Sequence, residues 1–145
     1  MRDITKDLTA RFFTIIICED AHISLKMRDI TKAFKALSDE TRLRILNLLL
    51  ERECCVCEVM QALQISQTRA SRNLGVLYGA GFLRLRRDGL WALYSIDKEG
   101  LKVYLPLLIE AVKKALEDNE IALLDRERLK KAERVGPARA RRLVK

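Results

Sequence analysis

The hydrophobic residues after position 27 recur at the spacing of an amphipathic helix. Ile30, Phe34 and Leu37 lie four and three positions apart, and they predict a first helix with one apolar face. Residues 38–40, Ser-Asp-Glu, then provide a stop, a new N-cap and an acidic first turn. A second helix is predicted from about residue 41 to residue 51, with a face of leucine and isoleucine wide enough to be buried in a core.

Two further helices are predicted in tandem after the second one. Residues 58–63 have the pattern of a short helix, and Ser66 is a good N-cap for a helix that runs from residue 67 to about residue 78. In that helix one stripe is apolar, while the other positions are polar or basic. The residues of the stripe, which we expect to be buried, are Ala70, Leu74 and Leu77.

The pattern changes to a period of two after Gly81. Residues 83–86 alternate leucine with arginine, Asp88-Gly89 is a two-residue hairpin signal, and residues 90–96 are again rich in strand-forming side chains. A β-hairpin with arginines near its tip is therefore predicted. Together with the tandem helices it gives a fold that is mainly α with a β-hairpin wing, a winged helix-turn-helix.

A last amphipathic helix follows the hairpin. Pro106 interrupts it, so that the helix either bends there or begins afresh with Pro106 in its first turn. Because the first helix also presents an apolar face, we expect surface on both helices to need a partner chain, which predicts a homodimer. The apolar stripe of the last helix consists of Leu101, Tyr104, Leu105, Leu108, Ile109, Val112 and Leu116.

Length and composition fit one compact domain, since the chain has 145 residues, of which 49% are hydrophobic and 33% charged. Three of its four cysteines lie within four positions, which makes a poor disulfide framework and indicates a reduced, cytoplasmic setting. The apolar run at residues 12–18 is too short to span a bilayer, so no membrane association is expected.

The two ends of the chain have their own character. Residues 1–6 and 27–32 share the sequence MRDITK, so we interpret residues 1–26 as an N-terminal extension whose translation in the native protein is open. Residues 27–118 form the predicted DNA-binding and dimerisation domain. Residues 119–145 are a charged, basic segment. From Arg126 onward this segment has nine basic and two acidic residues, and that excess of charge predicts a mobile tail.

The net charge of +8 is informative because of where the charged residues lie along the chain. No acidic residue occurs between Glu58 and Asp88, and five arginines lie there, as expected of a surface that faces phosphates. Gln67 can pair with adenine, and arginines on the same helix with guanine or phosphate. The partner predicted from this window is double-stranded DNA. The candidate contact residues are Ser66, Gln67, Thr68, Arg69, Ser71, Arg72 and Asn73 on the helix, and Arg86 and Arg87 in the wing.

The cysteine cluster predicts metal, metalloid or redox chemistry. Adjacent thiols flanked by Glu53 and Glu58 are unlike a buried apolar cluster, and thiolates are the ligands that soft ions prefer. In a regular helix Cys55 and Cys57 would lie about 200° apart, whereas Cys54 and Cys57 would nearly face each other. Capture of one ion by all three thiols would therefore distort the backbone.

Three stretches resemble the ArsR/SmtB family of metal-responsive bacterial repressors. They are LSDETRLRIL at residues 37–46, ECCVCEVM at residues 53–60 and SQTRASRNL at residues 66–74, followed by the Asp88-Gly89 wing, and the resemblance covers about residues 30–116. It implies a homodimer joined through its first and last core helices that binds operator DNA without metal and releases it with metal. It also implies that Cys55 and Cys57 match the family's two metal-binding thiols. Met60 stands where the arsenic-sensing branch often has a third cysteine.

The expected inducer is As(III) or Sb(III), held by Cys55 and Cys57 with Cys54 as the third ligand. One alternative is a sensor of Cd(II), Pb(II) or Zn(II) that recruits Cys18, which the cadmium- and lead-sensing branch implies. A second alternative is a thiol redox sensor on the same scaffold. The single histidine, His22, is interpreted as a surface residue. An enzyme is not expected, because the thiols have no nearby general base, phosphate loop or acid pair, and no catalytic residue is predicted.

Overall fold

The computed structural model describes the backbone of residues 20–99 and 102–144, and side chains from residue 27 onward within these ranges. By its contacts the chain divides into two units, residues 1–32 and residues 33–145. The described elements are, in order, α1 (Asp20–Leu37), α2 (Glu40–Glu51), β1 (Cys54–Cys55), α3 (Val56–Leu63), α4 (Gln67–Gly79), β2 (Leu83–Asp88), β3 (Trp91–Ile96), α5 (Leu105–Leu116), α6 (Glu120–Lys131) and α7 (Pro137–Leu143).

Helix α2 forms one residue earlier than predicted, and its cap explains why. The Asp39 side chain accepts a hydrogen bond from the Arg42 backbone N–H at 3.0 Å, and Glu40 lies in the positive first turn. On the face predicted to be apolar, Ile45, Leu46 and Leu49 are buried, while Leu43 and Leu50 are half-buried. Leu48, which the predicted face did not include, is fully buried as well.

The turn between α3 and α4 is tight. Gln64 takes a left-handed conformation with φ of 55°, which ends α3, and the Ile65 N–H donates to the Met60 carbonyl. The Ser66 side chain then accepts from the Arg69 N–H at 3.2 Å and caps α4, as predicted. The stripe Ala70, Leu74 and Leu77 is fully buried, which confirms the predicted orientation of this helix.

The sheet has three strands in the order β1-β3-β2 and is antiparallel throughout. Asp88 pairs with Trp91, so the hairpin turn consists of Gly89 and Leu90, one position later than the sequence signal indicated. Gly89 has φ of 56°, and this first turn position is where a type II′ hairpin turn favours glycine. Strand β1 is an addition that the sequence pattern did not predict. It pairs the cysteine segment with the wing, Cys54 with Tyr94 and Cys55 with Leu93.

Helix α5 begins at Leu105 with Pro106 in its first turn, which is one of the two alternatives that the sequence left open. The expectation of a mobile tail after residue 119 is wrong, because this segment forms α6 and α7 and packs against α2 and α3. Within the described part of the chain, no helix combines the length and the apolarity needed to cross a membrane.

The C-terminal segment packs because it contributes buried groups among its many charges. Leu129 and Ala140 are buried in the same core as α3. The Asp125 carboxylate is fully buried and accepts two hydrogen bonds from the Arg44 guanidinium of α2, at 2.7 and 2.8 Å. These bonds raise the pKa of Arg44 and hold α6 on α2.

Candidate functional site

The outward face of α4 carries most of the predicted DNA contacts. Ser66, Thr68, Ser71 and Arg72 are exposed, and Gln67 is half-buried at the start of the helix. Thr68 and Arg72 lie on the face opposite the buried stripe, and all five residues are near the N-terminal end of the helix. That is the part of a recognition helix whose side chains reach base edges in the major groove.

Two of the candidate DNA contacts also hold α4 against the rest of the domain. The Arg69 guanidinium donates to the Thr41 hydroxyl at 2.8 Å, and the Arg42 guanidinium donates to the Asn73 side-chain oxygen at 3.2 Å. Asn73 is buried and donates its own amide to the Arg69 carbonyl. No local pattern indicates this network, because the residues that it joins are 28 and 31 positions apart in the chain. The network fixes the recognition helix relative to the first turn of α2.

The wing presents its arginines along β2. Arg84, Arg86 and Arg87 are exposed, but Arg86 forms a two-point ion pair with Glu53, one of its hydrogen bonds being 2.8 Å long. The hydrogen bond from Arg86 lowers the pKa of the Glu53 carboxyl below its usual range. Glu53 directly precedes the cysteine segment, so this ion pair joins the wing to that segment.

Replacement of the acidic partner, Glu53→Gln, is expected to tighten binding to DNA by about 3- to 10-fold. Without its carboxylate partner Arg86 becomes available to a phosphate, so the salt dependence of log K should steepen by about one charge. The measurement is fluorescence anisotropy of a labelled duplex across salt concentrations. Glu110→Gln on α5, which removes an exposed acid of the same size paired with Lys113, should leave both quantities unchanged. An unchanged salt slope for Glu53→Gln would contradict a phosphate-facing role for Arg86.

Two cysteines meet at the start of α3. Cys55 is the N-cap and has an extended backbone, with φ of −83° and ψ of 169°, while Cys57 lies in the first helical turn. Their Cα atoms are 5.4 Å apart and their sulfurs form a disulfide bond. The opposed arrangement that a regular helix would give Cys55 and Cys57 does not arise, because α3 begins only after Cys55. The disulfide contradicts the expectation of a reduced cysteine cluster.

The third thiol of the cluster lies elsewhere. Side chains alternate along a strand, so Cys54 projects to the other side of β1 from Cys55. Cys54 is fully buried, its thiol donates to the Arg52 carbonyl at 3.5 Å, and burial raises the pKa of this thiol to about 12. The structure therefore brings Cys55 and Cys57 together and does not bring Cys54 to them. Cys18 and the side chain of His22 lie outside the described residues.

Glu58 supports the thiol pair from within α3. The sequence indicated this residue only as an acid beside the cysteines. It is buried, and its carboxylate accepts from the Cys55 N–H at 2.8 Å and from the guanidinium groups of Arg52 at 2.7 Å and Arg134 at 3.3 Å. The spacing from an N-cap to an acid three residues later was the available signal. Arg134 comes from the C-terminal segment, which is thereby anchored behind the thiols.

A pocket with a volume of about 270 Å³ opens beside the thiol pair. It brings together three parts of the molecule: the start of α3, the N-terminus of α4 and the tip of the wing, with the C-terminal segment as a fourth wall. Its lining residues are Cys55, Val56, Cys57, Met60, Gln67, Leu90, Trp91, Ala92, Val135, Gly136 and Pro137. Among the described residues, no three His, Cys, Asp or Glu side chains are placed so that they could hold one metal ion together.

In the reduced protein, Cys54 is expected to resist alkylation while Cys55 and Cys57 react. All three cysteines are buried, which contradicts the expectation drawn from the flanking acids, but they differ in access. Cys54 has no exposed surface and its raised pKa keeps it protonated at pH 8, whereas Cys55 and Cys57 line a pocket that opens to solvent, and the thiolate is the nucleophile. Peptide mass spectrometry after a timed iodoacetamide pulse measures each site. The same pulse in denaturant is the control and should modify all three alike. Equal modification of Cys54 in the folded protein would contradict this placement.

Comparison with known proteins identifies relatives of this arrangement. Residues 39–84 match the family described as bacterial regulatory protein, ArsR family. The chain is 39% identical over 101 residues to an arsenic resistance transcriptional regulator of Pseudomonas putida, an alignment that covers 69% of this chain and 75% of that protein. It is 43% identical over 75 residues to a homolog of a cadmium resistance transcriptional regulatory protein in Staphylococcus aureus, which covers 51% of this chain. It spans 62% of that relative, less than two thirds of its length.

A solved structure agrees with the fold. The homodimeric winged helix-turn-helix DNA-binding domain of Mb0332 from Mycobacterium bovis, a possible ArsR-family transcriptional regulator, is similar with a TM-score of 0.56 and 28% identity. The similarity covers 67% of this chain and 86% of that one. The winged helix-turn-helix predicted from the sequence is therefore confirmed, and the fold and the relatives are those of transcription regulators rather than of enzymes.

Proposed function

The chain belongs to the ArsR family of bacterial regulatory proteins, and from that premise we propose that it is a repressor that releases operator DNA when a thiophilic metalloid binds its cysteines. The inducer is As(III) or Sb(III), held by Cys55 and Cys57. The observation that carries the proposal is the pocket, because it is lined at once by both thiols, by Gln67 of the recognition helix and by the wing tip. An ion bound at the sulfurs lies next to both DNA-reading elements.

The DNA-binding part of the proposal rests on the surface of α4 and the wing. Gln67, Thr68 and Arg72 face the major groove, where amide, methyl and guanidinium groups distinguish base pairs. Arg86 and Arg87 of the wing reach phosphates or the neighbouring minor groove. The hydrogen bonds of Arg69 and Asn73 to α2 keep the helix at a fixed angle, which matters because two half-sites are read at a fixed spacing.

The proposed dimer uses the first and last core helices. Phe34 of α1 and Leu107 of α5 are exposed, at 56% and 70%, and Val103 just before α5 is exposed at 90%. Apolar side chains exposed to this extent on two helices are typical of surface that a partner chain covers. The similar Mycobacterium bovis domain is homodimeric, which supports the same assembly here.

Capture of the metalloid supplies the switch. Thiolate sulfurs are the donors that suit As(III) and Sb(III), and the two that meet at the helix start can share one ion once their disulfide is reduced. Cys54 is the third ligand for an ion that takes three sulfurs. Because Cys54 projects to the other side of β1, its recruitment must pull β1 away from β3 and so disturb the wing.

The test is a titration of the reduced protein bound to a labelled duplex, which is first selected from a random pool by the protein itself. Arsenite, antimonite, Cd(II) and peroxide are added separately while anisotropy reports release. Release by arsenite or antimonite at the lowest concentration supports the proposal. Release by Cd(II) that is lost when residues 1–26 are deleted would instead support the alternative sensor of Cd(II), Pb(II) or Zn(II) with Cys18, which the cadmium resistance relative favours.

A redox sensor is the second candidate, and the disulfide between Cys55 and Cys57 favours it. In this form the oxidised and reduced proteins differ in DNA affinity, without any metal. Peroxide should then release the duplex, and dithiothreitol should restore binding. Retention of the duplex by the fully oxidised protein, verified by mass spectrometry, would exclude this candidate.

Replacement of one exposed recognition residue, Arg72→Ala, is expected to weaken binding to the selected duplex by about 1 to 3 kcal/mol if this side chain reads a base. Anisotropy titrations on the selected and on a scrambled duplex separate loss of specificity from loss of general affinity. Arg142→Ala, which removes another exposed arginine, on α7, is the matched control and should change neither. Unchanged affinity for Arg72→Ala would remove this residue from the interface.

A further inference from the structure

The pocket beside the thiol pair is apolar in a way that ion capture alone does not require. Three of its walls are Met60, Leu90 and Trp91, and the C-terminal segment adds Val135 and Pro137. Its volume of about 270 Å³ exceeds the roughly 150 Å³ of an apolar protein cavity that holds benzene. The site therefore combines two sulfurs at one end with room for a hydrocarbon group beside them.

We propose that this pocket receives the organic substituent of a trivalent arsenical with one carbon substituent, R–As(OH)₂, while Cys55 and Cys57 bind its arsenic atom. The inference rests on the proposed function, since it names the class of inducer for the same site. The substituent lies against Trp91, Met60 and the C-terminal segment, where burial of its apolar surface adds to affinity.

The number of thiols matches this class of compound. Arsenic that carries one carbon has two exchangeable oxygens, so two thiols complete its coordination. Both As–O bonds break, two As–S bonds form, and the two thiol protons leave with the hydroxyl groups as two molecules of water, with no change of oxidation state. Cys55 and Cys57 must first be free thiols. A low-molecular-weight thiol or a phosphine supplies the electrons that reduce their disulfide. Inorganic As(III) has a third exchangeable oxygen, and the third thiol, Cys54, projects away from the pair.

The position of the substituent also explains how it would act on DNA binding. Gln67 begins the recognition helix, and Leu90 and Trp91 form the end of the wing, yet all three line the pocket. A group placed among them must contact both DNA-reading elements. A substituent in the pocket therefore changes the distance between the recognition helix and the wing directly. It does not need β1 to move away from β3, as recruitment of the Cys54 sulfur would.

The test compares phenylarsine oxide, which hydrates to the dihydroxy form, with methylarsonous acid and with arsenite. The full-length protein is reduced with a phosphine, and binding is followed by fluorescence of Trp91, the only tryptophan of the chain. Release of the selected duplex is measured in parallel. The phenyl and methyl compounds have the same arsenic chemistry, so the ratio of their affinities reports the substituent alone.

We expect the phenyl compound to bind at least 10-fold more tightly than the methyl compound. Ala92→Leu, which fills the pocket, and Leu90→Ala, which trims its exposed rim, should each lower this ratio toward one. Leu90 is 93% exposed, so the second variant tests the pocket with little effect on folding. Cys54→Ala should leave the affinity for both organic compounds unchanged, whereas Cys57→Ser should abolish it.

A phenyl-to-methyl ratio near one in the unmodified protein, or a high ratio that neither pocket variant lowers, overturns the inference. Operator release by arsenite in the same preparation would then leave the proposed function standing. The opposite outcome is also possible to observe: the phenyl compound binds in a pocket-dependent way, yet none of the three arsenicals releases the duplex. That result would uphold the binding site and refute the proposed repressor switch.

Discussion

Cys57→Ser should bind the selected duplex as tightly as the unmodified protein and yet fail to release it at arsenite concentrations roughly 100-fold above those that act on the reduced wild type. Loss of a group that merely supports a ligand costs about 10- to 100-fold in metal affinity, so loss of a ligand costs at least the upper end of that range. Serine keeps the size and a polar tip, and position 57 faces the pocket rather than the DNA-contacting side of α4. The measurement is anisotropy of the labelled duplex during arsenite addition.

Two matched variants sharpen this result. Cys55→Ser should behave as Cys57→Ser does, because the two sulfurs act as a pair. Cys54→Ala should weaken the arsenite response by about 10-fold if Cys54 is recruited as the third ligand, and it should not affect DNA binding. Loss of DNA binding by the reduced Cys57→Ser protein without arsenite would show that this cysteine is structural and would contradict its role as a sensor.

Asp125→Asn is expected to destabilise the protein by about 3 kcal/mol. Removal of one partner from a buried ion pair leaves the other charge partly desolvated, and such changes cost about 3 to 5 kcal/mol; the lower end applies here because the Arg44 side chain keeps 19% of its exposure. Chemical unfolding at a fixed protein concentration, followed by circular dichroism, measures the change. The fixed concentration matters because a dimer unfolds in a concentration-dependent way.

Glu127→Gln is the control for that experiment. Glu127 lies on the same helix and pairs with Lys130 at 2.6 Å, but both side chains are largely exposed, so this variant should unfold like the wild type. Limited proteolysis adds a second readout. If Asp125 holds α6 on α2, Asp125→Asn should expose cleavage sites after residue 119 while the winged domain resists. Wild-type stability and protection in Asp125→Asn would show that other contacts hold the segment.

Local patterns in the sequence determined the DNA-reading half of the molecule. The apolar spacing of Ala70, Leu74 and Leu77 determines which face of α4 is buried and therefore which side chains face outward. Ser66 determines where that helix begins, and the alternation of residues 83–86 with Gly89 determines a hairpin. These features depend on neighbours within one helix or one turn, so they can be read from the chain without its fold.

The tertiary structure alone decided which sulfurs meet and what surrounds them. The direction of Cys54 and Cys55 depends on their pairing with β3, about 40 residues later in the chain, and that pairing makes these two residues a strand that no local pattern predicted. The docking of the C-terminal segment depends on the contact of Asp125 with Arg44 across 81 residues, and its charge pattern indicated only a solvated tail. Both outcomes are set by long-range contacts, and composition and periodicity within a short window contain no information about which distant partner a side chain will find.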